Sequence, residues 1–268
     1  MFSRTLLSDK KSEKIATHQR LIRIARHQTI PLLPANVDFP TAKQMIRFEG
    51  ANGPDGLPGK HSITDEPHQF IDPAKNDKKL FQHIKNHLYN AHQAYKRKNQ
   101  TRFAFELAWL SHMVIDGLTP AHQQPFKDKL KELDPRTAEE VNSLLKRIFM
   151  PGASFRDIFE KNWQRLGPRG LGTNHILFEA GIDFIVMPIR PRSYPNSITV
   201  DDIKKVKAGR FLDLYWKSIQ EISKLRMFER YEESSWTTEL ATEVREKLIP
   251  VAVRMVVLSW LAAVYKGK

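Results

Sequence analysis

Apolar residues recur at helical spacing along nearly the whole chain, and this periodicity narrows the possible folds sharply. Leu21, Ile22 and Ala25 share one face; so do Leu80, Ile84, Leu88 and Ala91, and then Phe103, Leu107, Leu110 and Val114. No stretch alternates apolar and polar residues as a half-buried strand must. The reading is therefore all-α, a multi-helix bundle in which residues 1–268 form a single domain. The spacing predicts helices at 4–28, 75–98, 100–118, 137–149, 154–165, 173–187, 200–225 and 235–265. Pro and Gly gather between them, at 31–40, 49–59, 119–125, 167–172 and 188–197. The segment 47–73 is long for a connection inside a compact domain, and it carries Asp55, His61, Asp65 and His68, which marks it as functional.

Charge and composition restrict the chemistry next. Lys and Arg number 43 against 30 Asp and Glu, a net charge of +13 that attracts polyanions: nucleic acid, acidic lipid head groups or a phosphorylated substrate. Cysteine is absent, so any metal must be held by His and carboxylates. The N-terminus lacks the apolar core of a secretory signal, which gives a cytoplasmic expectation unless a leader is missing. The apolar run from Met255 to Tyr265 is too short to span a bilayer and reads as a core helix; no transmembrane segment is expected.

The chemistry concentrates in His112-Met-Val-Ile-Asp116-Gly-Leu-Thr-Pro120-Ala-His122. His112 and Asp116 stand four apart and share a helix face. Gly117 and Pro120 are expected to break that helix and return His122 to the same pocket. His175 and Glu179 repeat the four-residue spacing. Taken alone, such a pair is more often a hydrogen-bonded surface pair than a metal site. His83, His87 and His92 fall on one basic helix and read as a solvated face. The Lys/Arg cluster of 75–102 reads the same way, and Trp109, Trp163, Trp216, Trp236 and Trp260 read as core.

Taken together, His18, Asp55, His68, His112, Asp116, His122, His175 and Glu179 resemble the ligand order of the zinc-dependent phospholipase C / P1-type nuclease superfamily. The central pattern His-x-x-x-Asp-x-x-x-Pro-x-His is reproduced without insertion, and His175 with Glu179 is similar to the later His-x-x-x-Glu. Gly53-Pro54-Asp55 resembles the family's aspartate loop, His68 followed by Asp72-Pro73 its histidine segment, and Thr17-His18 its N-terminal histidine. The resemblance covers about residues 14–187 and, loosely, the last helix; 188–235 is unplaced.

That resemblance implies one zinc on His68, His112 and Asp116 and a second on His122, His175 and Glu179. A third would use His18 and Asp55, with Asp116 bridging. The family's N-terminal tryptophan is replaced by Met1-Phe2, so the third site is expected to be weak, lost, completed by another ligand such as His61, or restored by trimming. Gly56 stands where choline-preferring relatives carry an aromatic residue, which leaves choline preference open. The implied activity is phosphodiester hydrolysis through metal-activated water, with Asp55, Asp116 and Glu179 as catalytic groups. Phospholipase C action on glycerophospholipids stands ahead of a P1-like single-strand nuclease or 3′-nucleotidase. A non-catalytic zinc-stabilised protein whose basic face binds an anionic membrane or nucleic acid is the alternative from another class.

Overall fold

A computed structural model of the chain describes residues 16–49, 53–54, 71–75, 79–123, 132, 152–167 and 170–265. All regular structure among them is helical. In chain order the elements are α1 (Thr17–Thr29), α2 (Ala42–Ile46), α3 (Lys79–Lys96), α4 (Gln100–Leu118), α5 (Phe155–Leu166), α6 (Leu171–Val186), α7 (Val200–Lys207), α8 (Phe211–Ser223), α9 (Met227–Ser234), α10 (Thr238–Glu243) and α11 (Ile249–Tyr265). Short 3₁₀ turns lie at Ile30–Leu32, Pro120–His122 and Pro191–Ser193. The expected helix at 137–149 lies outside the described residues.

The molecule is organised around α4. The Asn99 side chain accepts the Arg102 N–H at 3.0 Å and so caps the first turn. From Glu106 to Leu118 every residue is buried, because α3, α11, α1, α2 and α8 all pack on this helix. Its polar residues are therefore chosen to have partners. Glu106 pairs through one oxygen with His87 Nδ1 and forms an ion pair with Arg102 through the other. The Ser111 hydroxyl donates to the Leu107 carbonyl at 2.6 Å and accepts the Trp260 indole N–H at 2.9 Å.

Three expectations need correction here. His87 is buried against Glu106 and is not part of a solvated face, while His92 pairs through Nδ1 with the Ala263 carbonyl at 2.9 Å. Trp163 is 56% exposed on α5, whereas Trp109 and Trp260 are core and Trp216 and Trp236 pack partly buried against it. Gly117 does not break α4, which runs through it to Leu118. It is a point of close approach: a Cβ there would lie 2.2 Å from the Tyr215 hydroxyl and 2.6 Å from Leu80. That hydroxyl donates to the Met113 and Val114 carbonyls at 3.2 and 3.1 Å, riveting α8 across α4.

The previously unplaced stretch is also helical. The single helix expected at 200–225 is two, α7 and α8, divided at Gly209, whose φ of +76° is the left-handed conformation that glycine adopts without steric cost. An extra helix, α9, follows Arg226, itself at φ +48°. The last helix begins at α10, where Thr237 accepts the Leu240 N–H at 3.1 Å. It continues through a π turn at Val244–Leu248 into α11. The wide turn falls immediately before Pro250, which has no N–H to give the Glu246 carbonyl and whose ring crowds it. By length and composition the continuous helix 238–265 could cross a membrane, since its apolar window extends beyond 255–265. In this fold 72% of that window is buried, against α1, α3, α4 and α7.

Candidate metal centre

Three elements meet at Asp116. It sits in the last turn of α4, where the carboxylate faces imidazoles from three directions. His18 comes from the first turn of α1, with Nε2 3.2 Å from Asp116 Oδ1. His112, one turn earlier on α4, brings Nε2 to 3.1 Å from Oδ2. His122, on the 3₁₀ turn started by Pro120, brings Nδ1 to 3.6 Å from Oδ2. That turn is held by the Thr119 hydroxyl, which donates to the Ile115 carbonyl, and by the Ile71 N–H, which donates to the His122 carbonyl at 3.2 Å.

His122 also faces the other way, with Nε2 2.9 Å from Glu179 Oε1. Glu179 lies on α6 one turn after His175, whose Nε2 is 3.4 Å from the same oxygen. Phe178 fixes the rotation of α6. It is fully buried, stacks on Trp236 at 5.3 Å and meets Phe228 edge-on at 5.2 Å, so the neighbouring Glu179 is turned inward. Gly181 lets the Trp236 ring lie against α6, since a Cβ there would sit 2.1 Å from the indole. The Thr17 hydroxyl donates to Asp183 at 2.8 Å, tying the first turn of α1 to the same helix.

Two groups of donors result, each with one ligand atom per residue and all atoms within 4.8 Å of one another: His18, His112 and Asp116, and His122, His175 and Glu179. Either can hold a metal ion. The second is the set expected from the sequence. In the first, His18 joins His112 and Asp116 directly; His68 and Asp55, the ligands expected there and in the third set, lie outside the described residues, as does His61. The sequence reading overlooked Glu49. This buried carboxylate, just past α2, reaches within 3.3 Å of His112 Nδ1, the ring nitrogen facing away from Asp116. A lone Glu before Gly50 belongs to no motif, and only the packing of α2 on α4 brings it there.

The electrostatics suit metal binding. Burial alone would raise both carboxyls, but attraction to the imidazoles in their protonated form, and hydrogen bonds from them, prevail: His122 and His112 at Asp116, and His175 and His122 among those at Glu179. Both acids are held well below the ordinary carboxylate range. Burial outweighs the attraction of Asp116 and Glu179 at His122 and lowers its pKa, which favours the neutral imidazole. Ionised carboxylate and neutral imidazole are the forms that bind a cation. His18 supplies the sharpest test of fit. It is wholly buried, yet among the described residues neither ring nitrogen has a hydrogen-bond partner, although Nε2 lies beside a carboxylate oxygen. A buried imidazole without hydrogen bonds is costly unless something else takes its lone pair, and a cation shared with Asp116 would do so.

Compared with known proteins, the chain matches no family model, no curated protein and no solved structure.

Proposed function

We propose that this protein is a zinc-dependent phosphodiesterase of the phospholipase C / P1-nuclease type, acting as a phospholipase C on glycerophospholipids. The observation that carries the reading is Asp116 at the junction of two largely buried histidine/carboxylate groups, one of them containing an imidazole that makes no hydrogen bond among the described residues. Imidazole and carboxylate without thiolate suit zinc, and three protein donors per group leave room for water or a phosphate oxygen. Bound zinc would lower the pKa of a water and offset the charge that develops on a phosphodiester in the transition state.

The chain's own contribution is positional. His18, His112 and Asp116 would hold one ion, and His122, His175 and Glu179 the other. Glu49 would fix the His112 ring by accepting its Nδ1–H, as outer carboxylates do for ligand histidines. Asp116, shared between the groups, keeps them adjacent. Burial of all but His175 excludes bulk water and strengthens each interaction within.

The test is a zinc count on purified, metal-replete protein beside parallel assays on phosphatidylcholine vesicles and single-stranded DNA. Two zinc ions per chain, with chelator-sensitive, zinc-restored release of diacylglycerol, are expected. Turnover of DNA alone would move the reading to the nuclease branch, and less than one zinc per chain would overturn it.

A further inference from the structure

On the far side of α1 from the bundle core, a cleft of about 810 Å³ opens between the C-terminal half of that helix, the start of α2 and the turn at Pro191–Ser193. Arg23, Arg26 and His27 line one wall, at the spacing that puts residues on a common helix face. Arg190 and Arg192, on either side of Pro191, line the other. Arg26 is anchored through Nε, which donates to the Pro40 carbonyl at 2.7 Å. Burial lowers its pKa from the ordinary arginine value.

Several surface cations elsewhere are paired locally. Arg156 meets Glu160, Lys205 meets Asp201, and Lys247 meets Glu243, each one helical turn away. Among the described residues no carboxylate pairs with Arg23, Arg26, Arg190 or Arg192. Four guanidinium groups around one concavity repel one another, and an anion bound between them would relieve that cost. Guanidinium forks match the oxygens of a phosphate group in bidentate geometry. Among the described residues no Phe, Tyr or Trp lines the cleft, and His27 is the one ring there, so it lacks the series of large aromatic faces on which successive nucleobases stack.

We propose that this cleft is an anion site separate from the metal centre, and that it takes a phosphate group of high charge, either on a soluble compound or on an anionic lipid headgroup. From His18 to Arg26 the helix advances about 12 Å, and Arg23 and His27 are exposed while His18 is buried. The site does not rest on the metal reading and is tested without any measurement of hydrolysis.

The probes are inorganic pyrophosphate, titrated calorimetrically, and vesicles of phosphatidylcholine with or without phosphatidic acid, scored by flotation. Three proteins are compared: the wild type, Arg190→Ala with Arg192→Ala, and Lys217→Ala with Lys224→Ala, which removes the same charge at exposed positions outside the cleft. The arginine pair should weaken pyrophosphate binding at least about tenfold with an unchanged melting temperature, and the lysine pair should leave it intact. Pyrophosphate held elsewhere, the metal centre included, is unaffected by the arginine pair and so does not count. Cleft-dependent binding of both pyrophosphate and phosphatidic acid vesicles identifies a headgroup site; binding of pyrophosphate alone identifies a soluble phosphate compound. Equal losses in the two paired variants, no arginine-dependent binding at all, or stronger competition by single-stranded DNA than by pyrophosphate would each overturn the proposal.

Discussion

The two donor groups share a wall at Asp116 and His122 but are built differently. His18, His112 and Asp116 stand on the inner faces of α1 and α4, which pack on each other and on α11. Behind them Glu49 backs the His112 ring. His122, His175 and Glu179 stand on a 3₁₀ turn and on α6, whose outer surface exposes Ile176, Leu177 and Phe184, and the His175 side chain is itself 19% exposed. The first group is fixed by the core; the second stands on elements that reach the surface. On the proposed reading, the first holds its ion for structure and positioning, while the second meets the substrate.

The variant that should collapse this distinction is Asp116→Ala, because Asp116 faces imidazoles of both groups. Elemental analysis should find both zinc equivalents reduced, and phosphodiester turnover should fall by about 10³-fold or more, beyond the roughly 10–100-fold expected of an outer partner. Helical content should persist. Retention of both ions would mean that the groups do not depend on the shared carboxylate.

Glu179→Gln should separate the groups. One tight zinc should remain, the other should be lost, and activity should drop by orders of magnitude. Loss of both ions together would show a single cooperative centre. Glu49→Gln probes the first group from behind: zinc affinity there should fall about 10–100-fold, with the second group unchanged in a competition titration.

The remaining prediction concerns scaffold outside the centre. Asp202, at the start of α7, takes a two-pronged contact from Arg254 of α11 and is nearly buried. Burial would raise its pKa, but Arg254 and the Thr199 N–H and hydroxyl lower it on balance. A carboxyl depressed in the folded state stabilises the fold fully above its unfolded pKa, about 3.9, and that stability is lost as pH falls through the lower folded value. Asp202→Asn should therefore cost about 1–3 kcal/mol near neutral pH in urea unfolding, with the gap from wild type narrowing below about pH 4. Zinc content should not change; if it does, α7 is coupled to the centre.

Local signals made much of this legible in the sequence. Apolar spacing alone predicts the helix at 100–118, and the ligand spacing on α4 and α6 follows from helical geometry. The breaks at Gly209 and Arg226 were harder to see. Apolar periodicity continues across both, and a left-handed backbone at an arginine has no compositional mark. Glu49 and His87 were obscured for a different reason: each is defined by a partner distant in sequence, and its own neighbours say nothing of burial. The resemblance puts His18 with Asp55, Asp116 bridging, in a set apart from His112. The placement of His18 against His112 and Asp116 depends on how α1 crosses α4, which no one-dimensional pattern encodes.

The seating of the Tyr215 hydroxyl over Gly117 bears on how such a sequence can drift. An added methyl at 117 would collide with the very oxygen that holds α8 to α4. Position 117 is not free to change first: a side chain there demands a shorter one at 215 and a shift of Leu80, while truncating 215 far leaves a cavity against the turn that carries Asp116. The two positions are therefore expected to vary as a linked pair across any lineage that keeps this centre, with Phe the easiest single step at 215, since it vacates the contested space and gives up only the hydroxyl's bonds. Sequences related by descent should record that constraint as covariation between a glycine beside the central aspartate and an aromatic residue about a hundred positions downstream.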